Sequence, residues 1–243
     1  VATGWAPAGA LHVVEPVAER RRELAAAVPG LSIGERPVDG VDAVVAVKPD
    51  VVAAVLPGLA AADVPRVLSI AAGVRTDAIE AGLPPGIPVV RCMPNTPALV
   101  GVGAAAIAPG VAAGPDDLAW AEGILAAVGT VVTVAEADLD AVTGLSGSGP
   151  AYVFHLAEAL TAAGVAEGLP LEVADALTRQ TLLGAATLLA ESGEDPAVLR
   201  ANVTSPGGTT AAGLAVFAEA DLPGLVARVV RAATERSRQL GDG

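Results

Sequence analysis

The chain changes character once, across TGLSGSGPAY at residues 143–152, and any fold for it has to respect that change. Before this stretch, short Val- and Ala-rich runs alternate with helical patches; after it, nearly every segment carries apolar residues at helical spacing. One uniform architecture cannot satisfy both halves, so the pattern predicts an α/β region followed by an all-helical one. The stretch itself is built for close approach. Gly144, Gly147 and Gly149 carry no side chain, Ser146 and Ser148 carry small ones, and Pro150 presets a first helical turn before VFHLAEAL. It reads equally as a joint between domains and as the floor of a ligand site.

In the first half, LHVV (11–14) is a strand and VAERRRELAAAV (17–28) a helix, whereas Ser32 and Ile33 carry only a short strand without alternation. VDAVVAV (41–47) is a continuous apolar run of the kind buried on both faces of a parallel sheet. A helix over 50–59, the strand RVLSIAA (66–72), a short helix over 76–81 and the strand PVVRCM (88–93) follow. Strand and helix alternate with short connections, which predicts right-handed βαβ units in a doubly wound parallel sheet. GAAAIAP (103–109), a helix over 115–128 and TVVTV (130–134) extend that sheet to its edge. The domains are expected to divide as 1–137 and 138–243.

Helices are predicted over 151–163, 171–191, 196–202, 210–219 and 223–240, punctuated by GLP, SGEDP, SPGG and DLP. In the second of these, Leu171, Ala174, Leu177, Thr181, Ala185 and Leu188 form one stripe, which Val173, Leu182, Leu183 and Leu189 widen well past one face. A five-helix region this small cannot cover such a helix by itself. A second copy of the chain is therefore expected to pack against it.

Composition narrows the partners. Hydrophobic residues make up 53% and aromatics only 2%, so the core is built from Ala, Val and Leu, and few rings remain to stack on bases. The formal net charge of −13 argues against nucleic acid and against anionic membrane surfaces. The single cysteine, Cys92, excludes an internal disulfide and a cysteine-based zinc site, and no metal site is expected. Candidate membrane runs are broken by Lys48, Asp50, Pro57 or Pro109, and the expected address is the cytoplasm.

Three further stretches could carry chemistry. Lys48, the one lysine in the chain, follows the strongest strand, and open α/β sheets bind ligands at the carboxyl ends of their strands. RCMPNTP (91–97) holds the equivalent place after a later strand, where two prolines pin Asn95 and Thr96; the alternative is a rigid turn with Asn95 in an Asx-type bond. Cys92 has no nearby acid–base partner, since His12 and His155 lie far off in sequence. In VTSPGGTT (203–210), Thr209 or Thr210 can cap a helix whose first-turn amides then offer an anion site; a capped helix start without a ligand is the alternative.

AVKP, RCMPNTP, TGLSGSGPAY and VTSPGGTT, in this order and at these separations, make the chain resemble pyrroline-5-carboxylate reductase from about residue 11 onward. The resemblance implies a Rossmann-like dinucleotide-binding domain followed by a helical domain that intertwines with its partner in a homodimer, sometimes assembled into larger rings. It implies reduction of the imino acid 1-pyrroline-5-carboxylate to L-proline by hydride transfer from NAD(P)H. Ala46, Val47, Lys48 and Pro49, with Cys92, Met93, Pro94 and Asn95, would line the nicotinamide side of the cofactor, and Asn202 would also reach it. Ser205, Gly207, Gly208, Thr209 and Thr210, with Ser148 and Gly149, would surround the substrate. Such a reaction mainly needs two ligands aligned, a carboxylate held and the imine nitrogen stabilised or protonated. Thr210 is the candidate for the hydrogen bond to that nitrogen, with Lys48 as a nearby positive charge.

Members of this family begin with a strand and a GxGxxG-type turn that seats the pyrophosphate on a helix N-terminus. This sequence has no such element, and TGWAPAG matches what normally follows it. The chain is therefore expected to be N-terminally truncated, to have a gap in its sheet where the central strand would lie, and to be impaired as written. Glu15 at its strand end favours NADH by accepting from a ribose hydroxyl, whereas Arg20, Arg21 and Arg22 and the family habit favour NADPH; NADPH is the expected cofactor and NADH the alternative. The competing readings are an imine reductase with the same two-domain plan and a non-catalytic homologue that only dimerises.

Overall fold

The computed structural model describes residues 4–241, whose strands fall into two sheets rather than one. β1 (His12–Val14) and β2 (Ser32–Gly34) pair in parallel across α1 (Ala18–Ala27). The other sheet runs in chain order through β3 (Ala43–Val45), β4 (Val67–Ser69), β5 (Val89–Met93), β6 (Gly103–Pro109) and β7 (Gly129–Thr133). Among the described residues no strand pairing joins β1 or β2 to β3.

β3, β4 and β5 are parallel, with α2 (Val52–Ala61) and α3 (Thr76–Glu80) as their crossovers. Side-chain alternation then sends neighbouring residues to opposite faces. Val67 and Val89 pack with Leu56 and Ile79 of α2 and α3, while Leu68 and Val90 pack with Ala121 and Leu125 of α4 (Pro115–Leu125). The sheet is thus covered on both faces, as a doubly wound fold requires.

The expectation of an all-parallel sheet is corrected at one place: β6 runs antiparallel to β5, with Cys92 opposite Ile107. The cause is the connection, since residues 94–102 hold only a short 3-10 turn (Thr96–Val100). A parallel crossover takes a dozen residues or more, usually with a helix.

The glycine-rich stretch takes a helical course on either side of Ser148. α5 (Leu139–Val142) passes into a π turn (Thr143–Gly147), and α6 (Gly149–Ala166) follows after Ser148. Then come α7 (Leu171–Ser192), α8 (Pro196–Asn202), α9 (Thr209–Glu219) and α10 (Leu222–Gly241).

The chain divides into two compact units, one comprising 4–148 with 231–241 and the other Gly149–Val230. In the first, the end of α10 is tied in by the Ser237 hydroxyl, which donates to Asp140 Oδ1 at 2.6 Å, and by Leu240 beside Gly73. In the second, α6, α8 and α9 bury no residue and α7 buries only Ala174 and Thr178. No described helix is long and apolar enough to cross a membrane.

Candidate active site

Because β3, β4 and β5 are parallel, their carboxyl ends open on one edge of the sheet. At β3 that end delivers Ala46, half-buried Val47, Lys48 and Pro49; Ala46, Lys48 and Pro49 are exposed, and Pro49 begins the 3-10 turn leading to α2. Lys48 makes no ion pair with any described residue, so its ammonium is available to a ligand. At β5, Cys92 is buried while Met93, Pro94 and Asn95 are half-buried. Burial pushes the Cys92 thiol up to about 12, so it stays neutral at physiological pH, packed in the core with Leu68, Ile107 and Ala121 rather than acting as a nucleophile. Neither histidine approaches it in role: His12 bonds Ser32 Oγ at 2.8 Å and His155 pairs with Glu158 at 3.2 Å on the surface.

Asn95 is held on both sides. Its Oδ1 accepts from the Ala104 amide at 2.9 Å, and its Nδ2 donates to the Ser146 carbonyl at 3.1 Å. The second bond is a product of the π turn. There the Ser148 amide reaches back five residues to the Thr143 carbonyl at 2.8 Å, and the Thr143 and Ser146 hydroxyls cap the carbonyls of Leu139 and Val142 at 2.8 and 3.2 Å. A Cβ on Gly147 would meet the Met93 terminal methyl, which would have to move aside. Met93 and Asn95 are therefore seated on Gly147 and Ser146.

The other residues singled out from the sequence lie in the second unit. Asn202 is the exposed last residue of α8, and the Thr204 hydroxyl bonds the Arg200 carbonyl at 2.6 Å. Ser205 to Gly208 form a turn closed by the Gly208 amide on the Ser205 carbonyl at 3.0 Å, with Gly207 at φ +70°. A Cβ on Gly208 would strike the Ser205 hydroxyl, so Ser205 is packed against this turn.

The expected cap is corrected here. Gly208 is the N-cap of α9, no side chain caps the helix, and Thr209 and Thr210 are its first two helical residues. A residue already in helical conformation cannot fold its hydroxyl back over the amides ahead of it, as a cap in extended conformation does. Thr209 and Thr210 are exposed at this helix start, beside amides that no side chain caps. Ser148 closes the first unit and Gly149 opens the second; both are half-buried.

The sequence reading missed one functional-looking group altogether. Arg91, just before Cys92, is buried and its Nη1 lies 2.8 Å from Glu136 Oε1. Its place in the apolar strand PVVRCM was the available signal. The strand-end residues fit a nicotinamide: Ala46 and Pro49 are exposed, Met93, Pro94 and Asn95 half-buried, and the Cys92 thiol neutral. No glycine-rich strand-to-helix turn that could seat a pyrophosphate occurs among the described residues.

Residues 136–240 match the family described as pyrroline-5-carboxylate reductase dimerisation. The chain is 50% identical over 197 residues to the pyrroline-5-carboxylate reductase of a Synechocystis strain, spanning 81% of this chain and 73% of that one. It superposes on a pyrroline-5-carboxylate reductase from Coxiella burnetii with a TM-score of 0.87 at 34% identity, over 94% of this chain and 87% of that one. It superposes on the Plasmodium falciparum pyrroline carboxylate reductase, solved with NADP bound, with a TM-score of 0.76 at 30% identity, over 87% and 83% of the two chains. The strand-end residues, the π turn and the start of α9 therefore occur in a chain that belongs to the pyrroline-5-carboxylate reductase family.

Proposed function

We propose that this chain reduces 1-pyrroline-5-carboxylate to L-proline with NADPH, NADH being the alternative donor, and that it acts as a homodimer or a larger ring of dimers. The observation that carries the reading is the seating of Met93 and Asn95 on the glycine-bearing π turn at the strand ends. When bound, the reduced nicotinamide supplies the hydride that adds to the imine carbon.

The chain's own residues then have separate tasks. Ala46, Val47, Lys48 and Pro49, with Cys92, Met93, Pro94 and Asn95, hold the nicotinamide side, and Asn202 contributes to cofactor binding. Buried Cys92 anchors that strand end in the core as a neutral thiol. Ser205, Gly207, Gly208 and Thr209 hold the substrate carboxylate by hydroxyls and helix-start amides, while Ser148 and Gly149 leave room for the ring. The Thr210 hydroxyl bonds the ring nitrogen, and the Lys48 ammonium supplies positive potential. Domain roles follow the same division, with cofactor binding in 1–137 and dimerisation and substrate binding in 138–243.

The test is a substrate panel with both cofactors, followed by Thr210→Val. Pyrroline-5-carboxylate is expected as the best substrate, and the valine variant is expected to lose on the order of 10²-fold in kcat/KM with unchanged NADPH affinity. Faster turnover of another cyclic imine would reassign the protein as a different imine reductase. No turnover of any imine by protein that binds NADPH would leave only the dimerising role.

A further inference from the structure

Apart from these residues, the first unit contains a cavity of about 250 Å³ where the loop after β4, strand β5, α5 and the last turn of α10 meet. Arg75, Arg91, Arg238 and Asp140 line it, with Gly73 and Gly241 contributing backbone. Three guanidinium groups thus line one space with Asp140, and Glu136 pairs with the innermost of them, in a chain whose net charge is −13. That concentration does not follow from composition and has to be explained locally.

The partners present leave N–H donors free rather than net charge. Asp140 Oδ1 accepts the Ser237 hydroxyl at 2.6 Å and keeps its negative charge. Arg91, with its side chain 5% exposed, gives only Nη1 to Glu136, and its remaining nitrogens have no protein partner among the described residues. Arg75 pairs with Asp77 at 3.5 Å, but both side chains are solvated, which makes that pair weak. Arg238 makes no ion pair with any described residue. The Arg238 guanidinium and the spare N–H groups of Arg91 are therefore the donors open to an anion in this partly enclosed space.

We propose that this cavity binds a small phosphoryl anion, either inorganic phosphate or a compact phosphate ester. A planar guanidinium presents paired N–H donors that match two oxygens of a tetrahedral oxyanion. Buried Arg91 supplies the inner wall, and exposed Arg75 and Arg238 supply the open side through which the anion enters. Occupancy ties the end of α10 to β5, the strand that carries Cys92 and Met93.

The experiment is calorimetric titration of the whole protein with inorganic phosphate and, separately, with glycerol phosphate, against chloride at matched ionic strength. Saturable binding is expected, and the tighter of the two identifies the source. Arg238→Gln is expected to weaken it by about tenfold or more, the loss of one charge-assisted bond, while Arg238→Lys retains most of it. Saturating NADPH should leave the phosphate isotherm unchanged, and Arg238→Gln should leave NADPH affinity unchanged. The proposal fails if wild-type protein shows no saturable binding, if an Arg75→Gln/Arg238→Gln double variant binds as wild type, or if NADPH displaces the phosphate.

Discussion

Cys92 and Asn95, three residues apart, show how one strand end can combine an inert side chain with a committed one. Asn95 holds Ala104 and Ser146 through opposite ends of its amide, so it orients the loop before any ligand arrives. Cys92 is 1% exposed, and burial raises its thiol to about 12. An acid raised on folding binds its proton more tightly in the native state. Its contribution is therefore complete below the unfolded thiol value and is lost as pH climbs from there toward 12. Stability is expected to fall more steeply above about pH 9 in wild type than in Cys92→Ala, by up to about 1.4 kcal/mol per pH unit. Denaturant midpoints from pH 8 to 10 check this, and parallel slopes for the two proteins would dispose of it. The native thiol should likewise react with alkylating reagents only on unfolding.

At the scale of elements, the π turn distinguishes two glycines that look alike in sequence. A side chain at Gly147 meets Met93, whereas the space around Gly149 is open within its unit. Gly147→Leu is expected to cost about 1–3 kcal/mol of stability by overpacking and to lower kcat/KM by displacing Met93. Gly149→Leu should keep the melting temperature within a few degrees while losing turnover, as the proposed substrate-side place of Gly149 requires. Equal losses of stability in both variants would refute the steric assignment. Most strands and helices were legible from apolar runs and their spacing, since burial on both faces of a sheet leaves a direct mark in VDAVVAV and RVLSIAA. Strand direction leaves none, and the antiparallel β6 could be inferred only from the short 94–102 link. The helical run through TGLSGSG was hidden for another reason. Its hydrogen bonds come from Thr143, Ser146 and a distant Asn95, which glycine content alone does not announce.

On the scale of the whole molecule, the second unit cannot be complete by itself. Phe154 is 62% exposed, Leu183 62% and Val216 64%, on helices that bury almost nothing within the unit. Monomeric proteins rarely leave apolar surface contiguous on this scale, and interfaces that persist resemble a domain core cut in two. The stripe on α7 foretold this, because a helix apolar over most of its circumference needs neighbours on several sides. An association driven by apolar burial is insensitive to charge screening, unlike one held by ion pairs. The protein is accordingly expected to elute at no less than twice its 23.7 kDa chain mass and to do so equally in 1 M sodium chloride. Leu177→Glu with Leu183→Glu, placing two carboxylates on that face, should convert it to monomer or to aggregate while the Rossmann-like unit keeps its strand signal in circular dichroism. Light scattering coupled to gel filtration decides it: a monomeric wild type, or a double variant that still elutes as wild type, would mean that these helices are covered by something other than a second copy.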